Sequence, residues 1–243
     1  MLKERSFTFL AYGMFFPGLT AFCWTLYENR LVDFLIQLSG IHQPIRSAIF
    51  SLTALVFVYV AVETCALIAV KAGWASPSKF HKHAIHGHNK NRLSGFLRAA
   101  GEEIGWRCYL LPCLLDRFSV LPAFVISGVV WGLFHVPVMI LLTHLLKPQK
   151  PIFTIFIQSL ACLFAAFPHG WVAVKSGYSL WASTMMHWYW NVYNPTILGS
   201  IYTNSPGKYT GPQWLINGEG LCGCLVMFPV AVLVYLDLSY DII

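Results

Sequence analysis

Long runs of apolar residues, separated by short polar connections, make up most of this chain. An α-helix needs about 20 consecutive apolar residues to cross the hydrocarbon core of a bilayer. By that measure the pattern predicts about seven spanning helices: Phe7–Tyr27, Ser47–Val70, Leu97–Leu115, Val120–Leu142, Ile152–Val174, Tyr178–Leu198 and Leu221–Leu238. No polar linker of domain size interrupts them, so residues 1–243 are expected to form a single all-α membrane domain, a bundle of transmembrane helices.

Two polar connections stand out between these segments. Glu28 to Arg46 includes an amphipathic piece, which is expected to lie at the membrane interface. Lys71 to Arg98 is the main polar loop and contains alternating histidines between His81 and His88. Alternating histidines can bind metal, but this run has no cysteine or carboxylate near it in the sequence. A solvated basic loop is therefore the expectation, and a metal site is the alternative.

Composition supports the membrane class. Soluble domains are about 45–50% apolar and about 25% charged, whereas this chain of 243 residues is 57% hydrophobic and 11% charged. Its seven cysteines lie mostly inside apolar runs, which indicates buried thiols and no disulfide framework.

The basic residues predict the orientation of an integral multi-pass membrane protein. The net charge of +6 could suggest nucleic acid, but its distribution fits membrane topology better. If Met1 is cytosolic and every segment spans, eleven lysines and arginines are cytosolic, and the exceptions are Arg30, Arg46, Arg117 and Lys175 on the other side and Arg107 inside a helix. We therefore expect a cytosolic N-terminus in a plasma, inner or endoplasmic reticulum membrane, with lipid and not nucleic acid as a partner.

Three polar insertions interrupt the later apolar segments. They are Glu102, Glu103 and Arg107 in the first, His135 in the second, and His187 with Asn191 in the third. Ionisable groups inside a membrane are costly, so they tend to be paired and to mark functional sites. The predicted topology places all three insertions in the cytosolic half of the membrane. They are expected to meet there in one catalytic centre.

The two adjacent glutamates are expected to have different roles. Residues four apart lie on one face of a helix, so Glu103 can pair with Arg107. Glu102 is turned by about 100 degrees from Glu103 and cannot share that pairing. One carboxylate would be held ionised by the arginine, and the other would be suited to proton transfer.

The remaining polar residues complete a hydrolytic site. His135 can orient or deprotonate a water together with a carboxylate. His187 and Asn191, also four apart, can donate hydrogen bonds to a developing oxyanion. No serine or cysteine lies beside a plausible base in these motifs, which argues against an acyl-enzyme. The pattern indicates amide hydrolysis by an activated water.

Zinc is an open alternative for the same residues. Glu102, His135 and His187 could bind it and leave one position for water. Asparagine is a poor zinc ligand, however, and Arg107 beside the carboxylates would oppose a cation. The sequence has no His-Glu-x-x-His spacing either. We therefore predict a site that requires no cofactor.

The ordered motifs resemble those of the CPBP family of intramembrane proteases, also called the Abi or CAAX-protease family. The signature Glu-Glu-x-x-x-Arg, Phe-x-x-x-His and His-x-x-x-Asn is matched by Glu102 to Arg107, Trp131 to His135 and His187 to Asn191. The resemblance covers a catalytic core of about residues 97–195. Trp131 stands where the family usually has phenylalanine, a departure expected to change little.

The resemblance implies roles and substrates. Its implied roles are water activation by Glu102 and His135, oxyanion stabilisation by His187 and Asn191, and orientation of the site by Glu103 and Arg107. Members related to the type II CAAX prenyl endopeptidase remove the last residues of prenylated proteins at the cytosolic face. Other members are linked to bacteriocin immunity or peptide-signal processing. An older label for the family is metalloprotease, and glutamate-dependent hydrolysis is the newer view.

The sequence thus predicts an intramembrane endopeptidase with a water-filled cavity open to the cytosol, acting on a protein or peptide that is prenylated or plain. One alternative is a non-catalytic binding or immunity protein. Another is a proton-coupled transporter that uses Glu63, although the sequence lacks the repeats typical of transporters. Glu63 is otherwise expected to be a hydrogen-bonded residue of the bundle, and His144 and His169 are expected to be structural.

Overall fold

The computed structural model describes residues 12–78 and 92–241 as a bundle of α-helices. In chain order the elements are a 3₁₀ turn (Gly13–Phe15), α1 (Phe16–Tyr27), α2 (Leu31–Ser39), α3 (Pro44–Lys71), β1 (Ser76–Pro77), α4 (Arg92–Gly105), a π segment (Trp106–Leu110), α5 (Leu111–Leu115), α6 (Val120–Leu146), α7 (Pro151–Lys175), α8 (Leu180–Leu198), β2 (Tyr209–Thr210), α9 (Gln213–Ile216) and α10 (Leu221–Asp241). The predicted all-α bundle is confirmed, with one two-residue antiparallel pair, β1 and β2, added to it.

Four helices in the described ranges are long and apolar enough to cross a membrane: Pro44–Lys71, Val120–Leu146, Pro151–Lys175 and Gln213–Tyr240. The chain is therefore a membrane protein, and the count of seven spans stays a prediction. The predicted third span is divided among α4, the π segment and α5. The start of the predicted first span at Phe7, the basic residues before it and the run His81–His88 lie outside the described residues.

The break in the predicted third span has a local cause. Pro112 has no backbone N–H, so it cannot bond the carbonyl of Cys108 four residues earlier. The side chain of Gln37 in α2 donates to that carbonyl instead, at 2.9 Å between Nε2 and O. The π segment contains Cys108 and ends two residues before Pro112. Such π turns inside helices are frequent at functional sites.

Two glycines, one in α4 and one in α6, let neighbouring elements come into close contact. A Cβ on Gly101 would lie 2.9 Å from the carbonyl oxygen of Met14, and one on Gly132 would lie 2.8 Å from that of Ser159. Small residues at such positions let helix backbones approach closely. Gly101 thus allows the 3₁₀ turn to pack directly against α4, and Gly132 allows α7 to pack directly against α6.

Contacts between connections define two ends of the bundle. At one end, which we call the loop end, β1 after α3 pairs with β2 after α8. Pro148, between α6 and α7, borders the same small depression as Asn204 and Pro212. At the opposite end the hydroxyls of Ser47 and Ser179 are hydrogen-bonded. The ends of α3, α6 and α8 therefore lie together at the loop end.

Candidate active site

Glu103 is the centre of a buried ionic network. Its Oε1 accepts from a guanidinium nitrogen of Arg107 at 3.0 Å and from Nδ1 of His187 at 2.7 Å. The Glu103 side chain is 0% exposed and that of Arg107 is 1% exposed. The predicted pairing of Glu103 with Arg107 is present, and His187 joins it from α8.

Glu102 has a different set of partners. Its Oε2 accepts hydrogen bonds from two indoles, from Nε1 of Trp131 at 3.0 Å and from Nε1 of Trp106 at 3.3 Å. Because both indoles donate to the same oxygen, Oε1 is not used by either of them. The two adjacent glutamates therefore differ as predicted, one in an ionic network and one held by neutral donors.

Trp131 lies at the middle of these groups. The Arg107 guanidinium carbon is 3.9 Å from the centre of its ring, a cation–π contact. The rings of His169, His135 and His187 have centroids 5.3, 5.7 and 5.8 Å from the indole. A phenylalanine could pack among these rings, but it could not donate to Glu102. The tryptophan therefore supplies a hydrogen bond to Glu102 that the family's phenylalanine does not have.

The hydrogen bonding of His135 defines its tautomer. Nδ1 lies 2.8 Å from the backbone oxygen of Trp131. A carbonyl oxygen only accepts, so Nδ1 carries the proton, and Nε2 of the neutral ring has its lone pair available. The side chain is half-buried and borders a cavity. His135 is thus placed to accept a proton.

His187 and Asn191 lie on one face of α8, and both border this cavity. His187 is buried, with its Nδ1 on Glu103, so only its Nε2 is left for another partner. Asn191 is exposed to the cavity. The two side chains can therefore act from one side on a bound group.

The cavity has a volume of about 1180 Å³ and lies between the 3₁₀ turn with α1, helices α4, α6, α7 and α8, and the residues that follow α8. Glu102, His135, His187 and Asn191 line it, whereas Glu103 and Arg107 lie behind its wall. The structure thus brings the predicted site residues together in two layers. The outer layer can touch a substrate, and the inner layer holds the outer one in place.

Several cavity residues were not predicted from the sequence. His169, expected to be structural, lines the cavity with its Nδ1 bonded to the Ala165 carbonyl at 2.8 Å. Tyr202 and Glu219 come from the region between α8 and α10. Burial and the neighbouring Glu219 carboxylate hold the pKa of the Tyr202 phenol well above its usual range. Nothing in the turn-like sequence around Glu219 distinguishes it from a solvated loop residue.

The proposed zinc ligands do not form a ligand set in this arrangement. Glu102 is bonded by two indoles, and Nδ1 of His187 faces Glu103. Across residues 12–78 and 92–241, no three His, Cys, Asp or Glu side chains form a group that could hold a metal ion. Glu102, His135 and His187 therefore do not fit a zinc ion in this arrangement.

The lone carboxylate Glu63 lies outside the cavity. Its Oε1 accepts a hydrogen bond of 2.6 Å from the hydroxyl of Tyr193 in α8. This is the hydrogen-bonded bundle role expected from the sequence. His144, near the end of α6, is exposed and does not border the cavity.

One family of known proteins matches part of the chain. Residues 93–193 match the family described as type II CAAX prenyl endopeptidase Rce1-like. No curated protein matches the chain. The matched residues include every predicted site residue, and they end before Tyr202 and Glu219. The resemblance to the CAAX-protease family is confirmed over these residues, and the matched family is one of CAAX-type intramembrane proteases.

Proposed function

We propose that the protein is a multi-pass endopeptidase that hydrolyses a peptide bond near the cytosolic membrane face. In this mechanism Glu102 and His135 activate the attacking water, and no metal is required. Prenylated CAAX proteins or peptides are the proposed substrates. The family match supports a protease acting on a protein or peptide, and the geometry around Trp131 supports the mechanism.

The observation that carries the proposal is that one residue orients both water-activating groups. The indole N–H of Trp131 donates to Glu102, and its backbone carbonyl accepts from His135. Oε1 of Glu102 and Nε2 of His135 are both acceptors and are both outside these bonds. A water that donates one hydrogen to each would be held and polarised for attack on a carbonyl carbon.

His187 and Asn191 in the outer layer, supported by the inner layer, suit stabilisation of the oxyanion. A protonated His187 has an N–H at Nε2, and the Glu103 carboxylate at Nδ1 favours that charge. Asn191, on the same face of α8, adds an amide donor. Fixed donors in a site with little water stabilise the developing negative charge without the cost of reorganisation. Arg107 keeps Glu103 in place between the two helices.

The contacts between loops support the proposed topology. The connections after α3, α6 and α8 lie together at the loop end, as expected if each of these helices crosses the membrane toward the same side. Lys71, Lys147, Lys150 and Lys208 flank or belong to these connections. Positive residues mark cytosolic connections. The loop end is therefore the proposed cytosolic face, and a cytosolic N-terminus stays a prediction.

The cavity supports a substrate that carries a lipid. The 3₁₀ turn and α1 line it with mostly apolar residues, and we call Phe15, Phe16, Leu19 and Phe22 the apolar wall. Burying a hydrocarbon chain releases about 0.8 kcal/mol for each buried CH₂ group. A prenyl chain on the apolar wall would leave the attached peptide near Glu102.

The test uses purified protein, prenylated and plain peptides, and mass spectrometry of the products. Glu102→Gln and His135→Ala are each expected to lower the cleavage rate by about a hundred- to ten-thousandfold, the usual contribution of a general base. Glu63→Gln is the matched control, because it removes a carboxylate outside the cavity, and it should leave the rate unchanged.

A chelator arm runs beside these variants and should also leave the rate unchanged. Loss of cleavage on chelation, with recovery on adding zinc, would replace the metal-free mechanism by a metal-dependent one. Equal cleavage by Glu102→Gln and wild type would contradict the assigned base. Binding of prenylated peptides without cleavage, unchanged in Glu102→Gln, would favour a non-catalytic binding protein.

A further inference from the structure

The walls of the cavity differ in chemistry. The apolar wall contributes hydrocarbon and aromatic rings, whereas the region between α8 and α10 contributes Ser200, Tyr202, Thr203 and Glu219. We call these four residues the polar wall. They follow the residues that match the family, so they are a feature of this chain beyond the matched segment.

A network of side-chain amides fixes the backbone that carries the polar wall. Asn217 donates to the Gly199 carbonyl at 2.7 Å, and its Oδ1 accepts from Asn194 of α8 at 3.0 Å. The same Oδ1 accepts from the backbone N–H of Glu219 at 2.9 Å. Asn217 and Asn194 are both buried. Glu219 is therefore held by the body of the bundle, although no regular element contains it.

The side chains of the polar wall are also anchored. Nε2 of Gln158, a fully buried residue of α7, donates to the Tyr202 hydroxyl at 2.9 Å. The Trp190 indole donates to Oε1 of Glu219 at 3.3 Å. Such fixed groups keep their position when a ligand enters, because little reorganisation is required. A fixed polar surface inside an apolar cavity is suited to recognising a polar part of a ligand.

The carboxylates of the cavity lining leave a negative charge at Glu219. His187, whose Nδ1 is bonded to Glu103, does not reach Glu219 through any hydrogen bond in the described structure. The acidic side chains of the lining are Glu102 and Glu219, and within the described part of the chain no lysine or arginine borders the cavity. Coulomb interactions are much stronger in a low-dielectric cavity than in water. A negative group on a ligand would meet repulsion near Glu219, where no lysine or arginine of the lining offsets it. A positive group would be attracted.

We propose that the polar wall binds the peptide part of the substrate and that Glu219 selects against acidic residues there, in favour of cationic or neutral ones. This inference rests on the proposed function for the identity of the ligand as a lipid-bearing peptide. Specificity of this kind comes from repulsion of the wrong ligand as much as from attraction of the right one. The selected class is thus a prenylated peptide with a basic or neutral residue beside the prenylated cysteine.

The test measures binding, so it does not depend on turnover. Three farnesylated peptides are compared, identical except for lysine, glutamine or glutamate after the farnesylated cysteine, and all amidated at the C-terminus. Affinities for the full-length protein in nanodiscs are expected to fall in the order lysine, glutamine, glutamate, with about tenfold between the first and the last.

Matched variants separate Glu219 from general charge effects. Glu219→Gln keeps the shape of the side chain and should abolish the order, whereas Glu63→Gln should preserve it. Thr203→Lys adds a cation to the polar wall and should favour the glutamate peptide. Thr203 is exposed, so this variant is expected to fold even if Glu219→Gln proves unstable.

Equal wild-type affinities for the three peptides, no binding of any of them, or an order that persists in Glu219→Gln would overturn the inference. Failure of the proposed function gives a different pattern. In that case the peptides bind in the expected order, but none is cut. Cleavage without the order would leave the protease standing and remove the role of Glu219.

Discussion

Two carboxylates in the bundle, Glu63 and Glu103, show how the same group serves different ends. Glu63 is half-buried and accepts from one neutral phenol, Tyr193, at 2.6 Å. Glu103 is fully buried and accepts from Arg107 and His187. A neutral donor holds the half-buried Glu63, whereas Glu103 has cationic partners that compensate its charge in the interior of the bundle. The cationic partners of Glu103 link it to the cavity, and Glu63 has no such link.

Glu102 sharpens the comparison because it is the next residue in the chain. It is as buried as Glu103, at 1% exposure against 0%, yet its donors are two neutral indoles. A carboxylate held by neutral donors can exchange a proton without leaving a cation unpaired beside it. Adjacent positions of α4 thus hold one carboxylate in an ionic network and one that is bonded by neutral donors.

Arg107→Ala is expected to have the largest effect on stability. Removing one partner of a buried ion pair leaves an uncompensated charge and lowers the free energy of unfolding by about 3–5 kcal/mol. Unfolding of the purified protein by denaturing detergent measures this. The control is the double variant Glu103→Leu with Arg107→Leu, which removes both charges of the pair and should lose less. A loss in Arg107→Ala no greater than in Glu63→Gln would erase the distinction between the two sites.

Trp131→Phe is expected to have an intermediate effect, on activity. It removes the N–H that holds Glu102 and keeps an aromatic ring beneath Arg107. Losing one hydrogen bond to a charged group corresponds to about a ten- to hundredfold lower kcat. KM for the peptide substrate should change little, which steady-state kinetics would show.

The matched control for this variant is Trp24→Phe. The indole of Trp24 donates to Glu28 at 2.8 Å on the exposed surface, so it has the same chemistry away from the cavity. Its loss should leave kcat unchanged. Full activity in Trp131→Phe would mean that Trp106 alone holds Glu102 or that its orientation does not matter.

Tyr193→Phe is expected to have the smallest effect. It deletes the hydroxyl that bonds Glu63, at a cost of about 1 kcal/mol in the free energy of unfolding, and leaves cleavage unchanged. Tyr189→Phe is the control, because Tyr189 stacks on Tyr193 with ring centroids 5.2 Å apart and has no bond to Glu63 in the described structure. A drop in kcat for Tyr193→Phe would place Glu63 within the catalytic machinery.

The sequence predicted what depends on spacing along one helix. Residues four apart share a face, so the pair of Glu103 with Arg107 and the common face of His187 and Asn191 followed directly. Matched depth in the bundle also predicted that the polar insertions would meet. These features depend on helix geometry, which is the same in every helix.

What spacing could not predict depends on how helices rotate against one another. Trp131 and Glu102 belong to different helices, so their hydrogen bond could not be inferred from spacing along one helix. From the sequence, Trp131 was expected only to pack as an aromatic ring. The predicted span through Leu115 was interrupted, because Pro112 and a π segment break its regular pattern. Glu219 escaped notice because a short turn-like sequence carries no periodicity from which burial could be inferred.

The close packing of the 3₁₀ turn against Gly101 has a mechanical consequence. Phe15, part of the apolar wall, rests on the backbone of α4 immediately before Glu102. Because Gly101 has no side chain, nothing separates Phe15 from the backbone of α4, and a displacement of Phe15 is passed on to that backbone. A hydrocarbon chain that pushes against Phe15 therefore pushes on the backbone that carries the carboxylate. In the proposed protease, the arrival of the lipid would thus be coupled mechanically to the carboxylate that activates the water.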